Sequence, residues 1–351
     1  MKPKRKKRTW LKLLLILLGV LLIAYLSGPK SGKVDFSKLH ATHYSSDLHV
    51  LEDSINAAES ALPLKKDNQA RIVWATPYAK TPYSIVYLHG NGASQEEGDP
   101  IHEGLAHRYG CNLFLSRLKD HGLVTDEPLL DLDPAQWMQS AMDAIAVGSS
   151  LGDQVILVSC STGSMLGLYL EAKNPGLIAA HIMLSPNIDL YDSKSILLTQ
   201  PWGLQFARQI LGGNYYSWEA PLVAQQYWYT TYRIEGLITL KSVIVNTMSA
   251  STFKAIQDPV FMAYYYLDEE HQDDVVSVKR MRQMYNQLGT PEALKKSIAL
   301  PNAGTHIIAS DMFNDHLNTL WESLTSYCEN VLKLPVADSS DYITFMDLRP
   351  R

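Results

Sequence analysis

The sequence predicts an α/β protein, a mostly parallel sheet with helices packed on both faces. Short, fully apolar segments such as QVILVSC (154–160) and AAHIMLSP (179–186) alternate with segments of helical periodicity. Strands apolar on both sides belong to a sheet that is covered on both sides. The 351-residue chain, 46% hydrophobic and 19% charged, is large enough for one substantial core. It contains no long stretch of low hydrophobicity and high charge that would read as disordered.

Taken in order, the chain opens with MKPKRKKR, which holds six of its 31 Lys and Arg residues. With a formal net charge of −5, the remainder from residue 9 onward carries −11. An acidic body with a basic tip lacks the basic patch that nucleic-acid binding needs. The tip instead precedes an apolar stretch over residues 10–27, uncharged from Leu13 to Leu26. That length spans a bilayer, and Lys12 can reach back to the headgroups. Cleavage after Ser27 or Gly28 would place Tyr25 or Leu26 at the −3 position, where a small residue is wanted. The expectation is an uncleaved single-pass anchor in a cell inner membrane, with residues 1–9 cytoplasmic and the body on the non-cytoplasmic, periplasmic side. A cleaved signal peptide is the alternative.

Residues 28–45 read as a polar linker, and 46–335 as the globular domain, beginning with a helix over 47–62. Strands are predicted at 70–76, 83–90, 111–118, 154–160, 179–186, 259–266 and 297–302. Helices are predicted at 95–109, at 134–151 with Asp133 as N-cap, and at 162–173, 277–288 and 309–333. The segment 190–257 breaks the alternation and is rich in Trp and Tyr. It reads as a helical lid whose Trp202, Trp218 and Trp228 line an apolar pocket, or else as helices covering the sheet. Residues 336–351 read as a loosely attached tail. Cys111, Cys160 and Cys328 are too few and too widely spaced for a disulfide framework or a metal cluster.

Chemistry concentrates where strands end. VILVSCSTGSMLG (155–167) buries a strand and breaks at once into small residues. A strained strand-to-helix turn that presents a serine hydroxyl needs small residues two before and two after it. Ser159 and Gly163 flank Ser161 in that way, although Ser159 stands where the G-x-S-x-G pattern has glycine. A serine needs a base and an orienting acid later in the chain. His306, after the last strand and a run of small residues, supplies the base. The acid is Asp273 in DDVV, with Asp268 at the preceding strand end as the alternative. YLHGNGAS (87–94) places glycines on both sides of Asn91, whose amide would join that of Thr162 in an oxyanion hole. In this arrangement His89 is a structural residue.

These stretches, with SRLKDHGL (116–123) and NAGTHIIAS (302–310), resemble the α/β-hydrolases, in particular the monoglyceride-lipase and serine-aminopeptidase-like branch and its membrane-anchored bacterial members. The resemblance covers about residues 45–335. It implies Ser161 as nucleophile, Asp273 as orienting acid and His306 as base, with Asp120 replacing the first glycine of the family's G-H-G turn. The function it implies is a membrane-anchored carboxylesterase or lipase acting on a small apolar ester or lipid, with no cofactor or metal required. A peptidase or amidase, an acyltransferase, and a non-catalytic hydrophobic-ligand carrier of the same fold are the rival readings.

Overall fold

The computed structural model describes residues 4–337. The tail expected at 336–351 lies almost wholly outside them.

Helix α1 (Lys4–Leu26) includes an 18-residue apolar window, Thr9–Leu26, with mean hydropathy 2.3 and no part of it buried. The linker after it lies against the body: the Phe36 and Tyr169 rings are 5.1 Å apart, and Thr42 Oγ1 donates to Asp143 at 2.5 Å. Helix α2 (Leu48–Ser60) is capped by Asp47, and the short strand β1 (Arg71–Val73) follows. Strand β2 (Thr81–Leu88) comes next. The helix expected over 95–109 divides at Pro100 into a single turn (Gln95–Gly98) and α3 (Ile101–Tyr109), since proline has no N–H to continue a helix.

Strand β3 (Asn112–Leu115) leads to α4 (Pro134–Leu151), where the Asp133 carboxylate accepts from the Gln136 amide at 2.8 Å as the sequence predicts. Strand β4 (Gly152–Cys160), α5 (Thr162–Lys173) and β5 (Ala180–Leu184) then build the centre of the sheet.

The inserted segment contains α6 (Gly203–Leu211), a two-stranded hairpin of β6 (Tyr215–Ser217) and β7 (Thr231–Arg233), α7 (Ile234–Thr247) and α8 (Ala250–Ala255). It divides in two. Leu240, Val243, Ile244, Met248 and Phe253 of its second half are buried in the same core as α4 and α5, as covering helices would be. The hairpin and the turns around it stand over the strand ends. Strand β8 (Val260–Tyr265), α9 (Val278–Gln287), β9 (Lys295–Leu300) and α10 (Leu317–Asn330) complete the chain. Helix α10 begins at 317 and not 309, because the Ser310 and Asn314 side chains bond nearby backbone groups and hold a non-helical turn.

The seven-stranded sheet runs β1-β3-β2-β4-β5-β8-β9, with only the β1–β3 pair antiparallel. One apolar layer, including Trp137, Leu166 and Met281, covers one face; another, including Ile101, Leu320 and Tyr327, covers the other. The chain leaves β2 for β3 on one side and returns to β4 on the other. The crevice beyond the carboxyl ends of β2 and β4 is therefore a topological switch point, where open α/β sheets place their ligands.

Candidate active site

Ser161 occupies that crevice, between the end of β4 and the start of α5. Its backbone is at φ 49° and ψ −114°, a conformation that a non-glycine residue adopts only when its surroundings impose it. Those surroundings are identifiable. The Ser161 amide donates to Leu184 O at 2.9 Å, and its carbonyl accepts from the Asn187 amide at 2.9 Å, so β5 and the loop after it grip both sides of the turn. A Cβ at Gly163 would lie 2.1 Å from Leu88 O, so only glycine lets α5 start this close to β2. Ser159 fits in place of a glycine because its hydroxyl, fully buried, meets the Ser164 hydroxyl at 3.0 Å.

Beside this turn runs the loop after β2. The Gly90 amide donates to Glu97 Oε2 at 2.6 Å, and Gly92, at φ 72°, accepts from the Tyr229 amide at 2.7 Å. These bonds leave Asn91 at the tip, where its buried Oδ1 has no hydrogen-bond partner among the described residues. Among the described residues, the backbone amides of Asn91 and Thr162 donate to no protein group. His89 is structural as expected. Its Nδ1 lies 2.9 Å from Gly90 O, and Nε2 accepts from the Leu118 amide at 3.0 Å, while burial keeps the ring neutral by pushing its pKa well below 6.5. Asp120, in the turn that follows β3, has φ 61°, a left-handed conformation that aspartate tolerates better than most side chains.

The two candidate aspartates differ in their surroundings. Asp273, wholly buried, receives the Val275 and Val276 amides on Oδ1 at 3.0 and 2.9 Å and His306 Nδ1 on Oδ2 at 2.6 Å. Asp268 is exposed and accepts from the Glu270 and His271 amides and the His271 ring, so the structure does not bring it to His306. Burial alone would lower the His306 pKa. The charge and hydrogen bond of Asp273, with the charge of Glu97 behind them, outweigh it and raise the pKa above its ordinary 6.5.

Glu97 is a residue the sequence did not disclose. It lies in an unremarkable acidic turn, yet it is buried beneath the Gly90 loop, where the Tyr87 hydroxyl also donates to it at 3.3 Å. Burial raises its pKa, and the Gly90 amide and His306 oppose the rise.

The three tryptophans separate. Trp228 is buried with Ala93 of the β2 loop and Ile307, the neighbour of His306, and its ring meets Phe313 at 5.1 Å. Trp218 packs against this cluster. Trp202 does not join them: its amide donates to Pro29 O at 2.7 Å and its indole to Ala24 O at 3.1 Å, at the base of α1.

No protein-family model and no curated protein sequence matches the chain. Solved structures do. A structure reported under LipS and LipT, two metagenome-derived lipolytic enzymes, matches with TM-score 0.61 at 14% identity over 76% of this chain and 99% of its own. A soluble variant of monoglyceride lipase from Saccharomyces cerevisiae, in complex with a substrate analog, matches with TM-score 0.53 at 11% identity over 75% and 91%. Est1E from Butyrivibrio proteoclasticus with ferulic acid bound matches with TM-score 0.52 at 15% identity over 76% and 95%. The sheet order, the elbow at Ser161 and these likenesses place the chain in the α/β-hydrolase fold.

Proposed function

We propose that the protein is a membrane-anchored serine hydrolase that cleaves apolar carboxylic esters. The observation that carries this reading is the strained Ser161 at the switch point together with the 2.6 Å His306–Asp273 pair at the ends of neighbouring parallel strands. Ser161 Oγ attacks the ester carbonyl while His306 Nε2 takes its proton. Asp273 holds Nδ1–H and so fixes the tautomer that leaves Nε2 as the base. The Asn91 and Thr162 amides receive the oxyanion. The tetrahedral adduct collapses with loss of the alcohol, which takes the proton from His306, and water then hydrolyses the acyl-enzyme by the reverse sequence. The Trp228, Phe313 and Ile307 cluster beside the β2 loop supports an apolar acyl group. The lipolytic and esterase neighbours are consistent with the same substrate class.

Helix α1 supports the anchor, since its apolar window of 18 residues rises about 27 Å, close to the bilayer's hydrocarbon thickness. A fluorophosphonate probe should label the wild-type chain and not Ser161→Ala, which should also lose p-nitrophenyl ester turnover at an unchanged melting temperature. Labelling that survives the substitution would end the assignment. The anchor is tested separately: the full chain should stay in the membrane pellet after alkaline carbonate extraction, and release into the supernatant would refute it.

A further inference from the structure

At the opposite end of the sheet from Ser161, three elements bring Glu171, His181 and Asp258 together, with one potential ligand atom from each lying within 4.8 Å of the others. We propose that this trio binds a divalent transition-metal ion, Zn²⁺ by its donor chemistry, and that the ion braces α5 against β5 and β8.

His181 lies near the start of β5, in register with Leu157 and Val260. It is buried, and neither ring nitrogen has a hydrogen-bond partner. A buried imidazole left this way wants a partner, and two carboxylates offer ligand atoms within 4.8 Å. Glu171, in the last turn of α5, is held in place by the Gly176 amide on Oε1 at 2.7 Å and the Ile178 amide on Oε2 at 2.8 Å. Each of those oxygens keeps a second lone pair. Asp258, just before β8, is half-buried, and its carboxylate lies within 4.8 Å of that of Glu171. Two carboxylates so close favour sharing a proton or a cation.

One nitrogen with two carboxylate oxygens is a borderline donor set that suits Zn²⁺ or Mn²⁺. Ca²⁺ and Mg²⁺ favour all-oxygen shells. Tetrahedral coordination with bonds of about 2.0–2.1 Å needs ligand atoms about 3.3 Å apart, so the trio must contract modestly. The exposed side of Asp258 offers an entry path and a fourth position for water. This inference is independent of the hydrolase reading, because it concerns the far end of α5.

The test uses the full chain in detergent micelles, stripped with chelator and dialysed, then titrated separately with Zn²⁺, Mn²⁺, Ca²⁺ and Mg²⁺. Bound metal per chain is measured after gel filtration, and melting temperature is followed alongside. Zn²⁺ should bind at about one per chain and, at a hundredfold excess over Kd, raise the melting temperature by about 4 °C. His181→Asn and Asp258→Asn should lose both effects. Asp258→Asn, on a half-exposed side chain whose amide can still donate to Glu171, keeps the test readable if His181→Asn fails to fold. Absence of stoichiometric Zn²⁺ in the wild type, or Zn²⁺ retained equally by Asp258→Asn, would identify the trio as a proton-sharing cluster and overturn the proposal.

Discussion

Two glycines on α5 meet obstacles of different kinds, and that difference makes a sharp prediction. A Cβ at Gly163 would lie 2.1 Å from Leu88 O, 2.6 Å from Leu88 C and 2.9 Å from His89 O. Ordinary contact begins near 3.4 Å, so the first overlap is 1.3 Å, and it is against backbone. A Cβ at Gly167 would lie 2.3 Å from Leu157 Cδ2, but the next atom is 3.7 Å away. A single terminal methyl can rotate aside; the end of β2 cannot. Gly163→Ala must therefore push α5 and β2 apart by about 1 Å, and with them Ser161 and the Asn91 loop. A misplacement of that size costs about 10²-fold in rate, and the overpacking costs about 1–3 kcal/mol of stability. Gly167→Ala pays a similar packing cost, but gains about 1 kcal/mol of helix propensity and leaves the site undisturbed. The measurements are kcat on a p-nitrophenyl ester and thermal melts of the full chain in detergent. Wild-type kcat in Gly163→Ala, or an equal loss of kcat in Gly167→Ala, would refute the reasoning.

Asp273→Asn should lower kcat by about 10³–10⁴-fold through loss of the correct imidazole tautomer, while Asp268→Asn, which faces His271, should leave it within about twofold. Because the base must be neutral and its pKa is raised, the acid limb of kcat/KM should have its midpoint above 6.5, and Asp273→Asn should move any residual limb downward. The sign for stability follows from the same shift: the contribution of protonated His306 is full below 6.5 and is lost as pH rises through the raised value, so Asp273→Asn should flatten the melting-temperature profile across that window.

What the sequence disclosed was local. The helix over 162–173 matches its expected bounds because the strained Ser161 ends β4 abruptly and begins the helix in one step. Helix α4 matches because Asp133 caps it. The β6–β7 hairpin was not legible because its causes are distant in the chain. Arg233 bonds Glu127, and Tyr229 donates to Gly92, across more than a hundred residues in each case. The place of Trp202 was hidden for the same reason, since its bonds are to Pro29 of the linker and Ala24 of α1, far from it in sequence. Glu97 was invisible because a buried carboxylate and a solvated one look alike in an acidic run, and only the fold turns it beneath Gly90.

The departures from the G-x-S-x-G and G-H-G patterns show what those patterns encode. Gly163 is required because the Leu88 carbonyl leaves no room for a side chain. Two residues before Ser161 the demand is weaker: a side chain is admitted if it is small and its polar atom is satisfied, and Ser164 satisfies it. At position 120 the demand is for positive φ and not for space, so aspartate serves. Asp273 follows the same logic. Of the valines after Asp273, Val276 packs into the core while Val275 is exposed, and the amides of both occupy one carboxylate oxygen and leave the other to His306. A motif with one altered letter can thus keep its geometry, provided the letter that changed answered a constraint the new residue also meets.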